Sequence, residues 1–330
     1  MAYVSDPSIF VMHIAFRIGV YGIAALSLNI EYGYTGLSNF GKAAFLMMGA
    51  YTAAIAVENG LHPVIAIVLS IVVAGFIGLS ASLFALKFRE DYLAITMLAF
   101  AEISRLILRN FDDSVRALTK LITGVEGYTN IFGGVHGKVV RSFVSIPGDY
   151  RLYNIVQLTL VYGLLASSYV FVRLLSDSPY GRVLRAIRED ELASQTLGKK
   201  TWVYKMQIIG LGSALAGLAG ALNAQFEGYI SPESFQPHLT FAIWMMVILG
   251  GVGNNLGVLL GATLVESIEA IALFVKSFFG YLPFDPVNIQ WIFVGASIIA
   301  IIAFKPRGLL EERPIKTPAV EVARIGYTKG

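Results

Sequence analysis

The sequence predicts an all-α, polytopic transmembrane helical bundle with broken helices, and three observations predict it. The 330 residues are 56% hydrophobic and only 14% charged, with a mean hydropathy of +0.68, whereas soluble domains carry about 25% charged residues. The apolar residues fall in runs near the ~20 residues that carry a helix across a hydrocarbon core. The 33 glycines sit inside those runs, as close helix packing and interrupted membrane helices require.

Taken in order, candidate spans run from about Ile9 to Leu28, Ala43 to Val57, Val64 to Leu86 and Tyr92 to Leu108. A long polar stretch, Asn110 to Arg151, follows. Further spans run from Ile155 to Leu175, Tyr204 to Phe226, Phe241 to Leu249, Leu256 to Phe279 and Val287 to Phe304. The Phe241–Leu249 piece is too short to cross alone and reads as a half-helix, stopped by Gly250-Gly251-Val252-Gly253-Asn254-Asn255. The region before Ile9 carries Asp6 and no Lys or Arg, so a cleavable signal is not expected.

Basic residues cluster in alternate connections: Lys87 and Arg89; Arg182, Arg185, Arg188, Lys199, Lys200 and Lys205; and Lys305, Arg307, Arg313, Lys316, Arg324 and Lys329. The connections between, Glu58–His62, Glu227–His238 and Gly280–Asp285, contain none. Placing the basic set in the cytoplasm gives a consistent zigzag, with the N-terminus and the 110–151 loop outside. Arg116, Lys120, Lys138, Arg141 and Arg151 run against that rule, offset by Asp112, Asp113, Glu126 and Asp149. The expected organisation is one membrane domain over 1–310 and a cytoplasmic tail over 311–330, in a multi-pass protein of the cell membrane.

Glycine interrupts the apolar pattern twice in a similar way. Gly33, Gly36, Gly41 and Gly49-Ala50 do so in the first half, and Gly250, Gly253, Gly257 and Gly261-Ala262 in the second. Paired interruptions mark repeat-built transporters, whose broken helices form the solute path; glycine is also common at plain helix contacts. Asn29, Glu31, Thr35, Ser38 and Asn39 beside the first break, with Gly250, Gly251 and Gly253 at the second, are the candidate path. A zwitterionic solute asks for donors and acceptors with few full charges.

The segment 178–200 carries the most mechanism. Ser178-Pro179 starts a helix, with a capping hydroxyl and then a proline where no N–H is required. Arg182, Arg185 and Arg188 recur every three residues, opposite Val183, Leu184 and Ile187. Glu189, Asp190 and Glu191 open a second short helix, Gly198 stops it, and Thr201 can cap the next span. Two amphipathic helices of this kind suit either a docking surface for another protein or a lipid-surface position.

Ser178-Pro179-Tyr180-Gly181-Arg182-Val183-Leu184-Arg185-Ala186-Ile187-Arg188-Glu189-Asp190-Glu191, continuing to Gly198, resembles the cytoplasmic signature of LivM-type permeases of branched-chain amino-acid ABC transporters. Three other stretches resemble the same family in the same order. They are Gly33 to Phe45 with Gly49-Ala50-Tyr51-Thr52; Leu98 to Arg105, leading to Thr123–Gly127; and Ala214 to Leu222, then Ser231-Pro232, the Gly250–Gly253 run, Gly257 and Lys305-Pro306-Arg307-Gly308-Leu309. After Thr123-Gly124 the chain departs from the family pattern, with Val125 and Ile131-Phe132. The resemblance implies roughly eight to ten membrane helices in inverted repeats. It implies as partners a second permease subunit, related or identical, two cytoplasmic ATPase subunits and an external solute-binding protein. Gly181, Arg182, Arg185, Ala186, Arg188, Glu189, Asp190, Glu191 and Gly198 would then couple the bundle to the ATPases. Urea or short-amide permeases resemble the same pattern.

Other classes find less support. No G-x-x-x-x-G-K-[ST] occurs, so ATP-Mg belongs to partner subunits and no cofactor is expected on this chain. Cysteine is absent and His13, His62, His136 and His238 are scattered, so no metal site is expected. The net charge of +3 gives no reason to expect nucleic acid, and no catalytic constellation stands out. An ion-coupled secondary transporter would explain the broken helices and the charges Arg17, Glu31, Lys42, Glu102, Arg105, Arg109, Glu266 and Glu269. It would not explain a two-helix docking segment. Glu102 and Arg105 read best as a neighbour pair, while Glu31 and Lys42 read equally as a pair or as pathway groups.

Overall fold

The computed structural model describes residues 7–86, 90–123, 131–142 and 150–278, with 295–296, 299, 303, 305 and 308–312. Lys87, Arg89, Val125, nearly all of the Val287–Phe304 span and the tail beyond residue 312 lie outside the described residues.

Each apolar run that falls within the described residues becomes a helix. α1 (Pro7–Leu28) passes into a π-helical turn at Asn29–Gly33, and α2 (Lys42–Glu58) follows. α3 (Pro63–Ala85) begins with Pro63 at its first position, and His62 Nδ1 accepts the Val64 N–H at 3.3 Å. This side-chain acceptor replaces the carbonyl that a first-turn donor lacks. α4 (Glu90–Thr123), α5 (Tyr150–Asp177), α6 (Pro179–Glu189), α7 (Glu191–Thr196), α8 (Thr201–Glu227), α9 (Pro237–Gly250) and α10 (Asn255–Phe278) complete the bundle. A two-residue antiparallel ladder joins β1 (Lys138–Val139) to β2 (Tyr229–Ile230).

Among the described residues, four helical stretches are long and apolar enough to cross a membrane: Phe10–Gly33, Pro63–Ala85, Leu152–Asp177 and Thr201–Glu227. The most apolar, in α3, has mean hydropathy 2.7 and is 28% buried, while α8 has 1.3 and is 67% buried. α3 is a rim helix and must match lipid along Val68, Val72, Phe76 and Phe84, which are all exposed. α8 is surrounded by protein and is free of that demand. α2 and α9 are short, at 17 and 14 residues, and the apolar part of α4 carries Glu102, Arg105 and Arg109.

α8 packs against α2 and α3 through small residues, and Gly217 and Gly220 meet the backbone of α2 directly. Such packing replaces the hydrophobic effect as the force between helices in lipid. Val20, Ile23, Leu26, Phe45, Met47, Ile243 and Met246 fill the centre around it. α9 rises about 21 Å at 1.5 Å per residue, short of the ~30 Å hydrocarbon core, and stops at glycine as the half-helix expectation required.

One boundary differs. α4 runs on through Thr123 instead of ending near Leu108. No proline or glycine occurs between Asn110 and Thr123 to stop it. Beyond it, Asp112 accepts the backbone N–H groups of Ile131 and Phe132 at 3.1 and 3.0 Å, folding the loop back onto the helix.

The described connections gather at two opposite ends. At one, Lys138 pairs with Glu58, Glu233 meets Arg105 at 3.0 Å and Arg109 at 3.1 Å, and Tyr229 donates to the His136 carbonyl at 2.6 Å. At the other lie the break after α1, the α6–α7 elbow, the break between α9 and α10, and residues 308–312.

Candidate functional site

The elbow folds as its sequence dictates. Ser178 Oγ accepts the Gly181 N–H at 3.3 Å, and Asp190 Oδ1 caps α7 through the Ala193 N–H at 2.9 Å. Gly181, Leu184 and Ile187 are buried, while Arg182, Ala186, Glu189 and Asp190 are exposed. Gly198, at φ 77°, ends the elbow in the left-handed region that favours glycine. Thr201 does not cap α8 as expected; Lys200 occupies that position, and Thr201 Oγ1 accepts from Gln195 Nε2 at 3.1 Å instead. Lys205 Nζ reaches back to Glu191 at 2.7 Å and ties the elbow to α8. Burial opposes ionisation of the Glu191 carboxyl. Its hydrogen bonds from Lys205 and Thr201 and the Lys205 charge outweigh that, leaving it below its ordinary range.

The two glycine breaks meet. Asn29 donates to Asn255 Oδ1 at 2.9 Å and accepts the Gly253 N–H at 3.0 Å. Tyr34 OH donates to the same Asn255 oxygen at 3.1 Å. Asn255 therefore joins both breaks with one oxygen, and Asn254 accepts the Gly257 N–H at 3.0 Å. Gly250 and Gly251 are buried at the end of α9.

Beside this junction Lys42 and Glu31 form an ion pair of 2.7 Å with both side chains wholly buried. Lys42 Nζ also donates to the Ser27 carbonyl at 3.1 Å. Glu31 fits only because residue 212 is glycine: an added Cβ there would lie 2.6 Å from the Glu31 carboxyl carbon. Thr35 and Asn39 are buried nearby, and Ser38 is half-buried. Glu31 Oε2, Thr35 Oγ1 and Asn39 Nδ2 are enclosed without a hydrogen bond.

Two of the elbow arginines point into the bundle. Arg188 donates to the Gly33 carbonyl and, at 2.9 Å, to Glu312. Arg185 lies 3.4 Å from the other Glu312 oxygen, with its guanidinium 5.0 Å from the centre of the Tyr34 ring. A polar cleft of about 200 Å³ opens here between Tyr34, Arg185, Asn255 and Glu312.

The other charges singled out in the spans, Arg17, Glu102, Arg105, Arg109, Glu266 and Glu269, are paired. Arg105 holds Glu102 at 2.6 Å, as its neighbour spacing predicts, and also Glu233 across the chain. Arg17 bridges Glu266 at 2.8 Å and Glu269 at 2.7 Å between α1 and α10. Among the described residues no group of His, Asp or Glu has the arrangement of a metal site.

A family model described as the branched-chain amino acid transport system permease component matches residues 10–302. The chain belongs to this permease family. A probable branched-chain amino acid transport permease protein LivM of Methanocaldococcus jannaschii is 31% identical, covering 92% of this chain and 94% of that one. The high-affinity branched-chain amino acid transport system permease protein LivM of Salmonella typhimurium is 30% identical, over 94% and 71%. A probable LivH permease of M. jannaschii is 28% identical, over 78% and 79%. No solved structure matches the chain.

For this multi-pass permease, the structure joins what the sequence treated as two sites. Asn29 and Gly253 touch each other, and Gly33 touches the elbow. Reasoning from the sequence missed Asn255, Tyr34 and Glu312. Asn255 closes the Gly-Gly-Val-Gly-Asn-Asn run, and a polar residue opening a span was a usable signal. Glu312 had none, because it lies 124 residues from Arg188.

Proposed function

We propose that the chain is the membrane-spanning permease subunit of an ATP-driven importer for branched-chain amino acids. It works beside a second permease subunit, with two ATPase subunits in the cytoplasm and a solute-binding protein outside. The elbow, residues 178–200, receives the stroke of the ATPases and rocks the bundle between outward- and inward-open states. The observation that carries this reading is the elbow's divided character. One face is locked into the bundle through Leu184, Ile187, Arg185 and Arg188. The other leaves Leu192 74% and Leu197 80% exposed beside the exposed charged residues Arg182, Glu189, Lys199 and Lys200. An exposed apolar strip with a charged rim fits a protein partner, and the inner face offers a route into both glycine breaks.

The solute path of this proposal runs by Asn29, Glu31, Thr35, Ser38 and Asn39 and the Gly250–Gly253 break. Lys42 neutralises Glu31, so a zwitterion would meet a path without net charge. Buried polar atoms lacking partners are rare in folded proteins, and the Thr35 hydroxyl is suited to bind a polar solute as the breaks part. The meeting of the two breaks through Asn29, Asn255 and Gly253 supports the repeat relation between α1–α2 and α9–α10.

The test is uptake of leucine, isoleucine and valine into vesicles holding the full complex. ATP-dependent uptake that survives collapse of ion gradients, and is abolished by Leu192→Glu with Leu197→Glu, is expected. Uptake that follows an ion gradient without the ATPases would make the chain a secondary transporter. Uptake of urea or short amides alone would move it to the other substrate class.

A further inference from the structure

We propose that Glu312 is a positioning residue for coupling: it latches the elbow to both glycine breaks, so that one displacement of the elbow reaches the α1–α2 and α9–α10 pairs together. This rests on reading the elbow as the receiver of the ATPase stroke.

Residues 308–312 form a strap between the end of α9 and the elbow. On one side the strap is held by backbone: the Leu309 N–H donates to the Leu249 carbonyl and the Leu310 N–H to the Gly250 carbonyl, both at 3.0 Å. Asn254 Nδ2 adds a bond to the Glu311 carbonyl at 2.8 Å. On the other side it is held by one carboxylate, which Arg188 meets at 2.9 Å and Arg185 at 3.4 Å. Each arginine then reaches the first break, Arg188 through the Gly33 carbonyl and Arg185 through the Tyr34 ring. Tyr34 closes the circuit on Asn255 at 3.1 Å. Among the described residues, Glu312 is the one group that bonds the elbow while standing on a segment bonded to α9.

Two features suit it to a moving part. Its side chain is 28% exposed and that of Arg188 24%, so this pair can part and re-form without stranding a charge in a dry interior. Room for the carboxylate is set by Gly253, where φ is 78° and an added Cβ would stand 2.8 Å from the Glu312 carboxyl carbon. The second break and the latch thus constrain each other directly. Arg173 and Asp177 share the same cleft, paired with each other at 3.8 Å.

The experiment uses the full complex in vesicles, with solute uptake and phosphate release measured together. Glu312→Gln should lower the solute moved per ATP about tenfold, the loss expected for one charge-assisted tie of ~1.4 kcal/mol. Phosphate release and solute binding stay near wild type, and Glu312→Asp recovers most of the ratio. If Glu312 only anchors the tail, both variants change the amount of assembled complex and leave solute per ATP at the wild-type value; that result overturns the proposal. Should Glu312→Gln not assemble, Arg185→Gln is measured in the same way, a lowered ratio supporting the latch and an unchanged one refuting it. Wild-type vesicles that show no ATP-driven uptake would instead refute the importer reading on which the latch depends.

Discussion

Glu31 and Glu312 both pair with cations at the first glycine break, and they do opposite things. Glu31 meets one lysine in complete burial, 2.7 Å away with neither side chain exposed. Glu312 meets two arginines at the edge of a polar cleft. In a dry interior a broken pair leaves an uncompensated charge, so the first contact is a permanent staple across the broken helix. At the edge, water can replace either partner, so the second contact can open. Burial, more than distance, separates a structural ion pair from a working one.

The largest effect that would sharpen this contrast is at the staple. Lys42→Met alone should destabilise the purified chain by about 3–5 kcal/mol, and joint replacement with Glu31→Gln should recover most of it. Thermal melting of the single and double variants checks this; equal losses in both would mean that the pair is not buried as a unit. Gly212→Ala comes next. It forces a methyl group against Glu31 and should cost about 1–3 kcal/mol, with the loss reduced when Glu31 is also shortened to Asp.

At the edge, Glu312→Ala should shift stability by less than about 1 kcal/mol while removing most uptake. A melting loss as large as that of Lys42→Met would erase the distinction between the two sites. The smallest expected effect is at Lys205. Its partner Glu191 ionises below its ordinary range, so the pair adds stability above that range and loses it as pH falls through the lowered value. Lys205→Gln should therefore cost a few tenths of a kcal/mol at neutral pH, and nothing once Glu191 is protonated. Melting across a pH series reads the difference, and a gap that persisted in acid would show that the pair is not responsible.

The elbow was legible because its signals are local. Ser178-Pro179, the three-residue spacing of Arg182, Arg185 and Arg188, the acidic start at Asp190 and the stop at Gly198 all act within one or two turns. What those arginines bind was not legible. Their spacing gives a charged face, and only the packed chain shows that Arg182 faces solvent while Arg185 and Arg188 face the bundle. The Glu102–Arg105 pair was readable as neighbours on one helix. Its third member, Glu233, was not, since it arrives from the connection between α8 and α9.

By itself the sequence determined an all-helical membrane chain, the positions of its two glycine breaks, the short α9 and the two-helix elbow, since hydropathy, breakers and caps act over a few residues. The tertiary structure decided that the breaks touch through Asn29 and Asn255, that Lys42 spends its charge on Glu31, and that Glu312 holds the elbow. The first and last of these partners lie 226 and 124 residues apart, beyond the reach of any local periodicity, and they meet only where distant parts of the chain are packed side by side. Glu31 and Lys42 are 11 residues apart, and the path of the chain through the break decides which of their two readings holds.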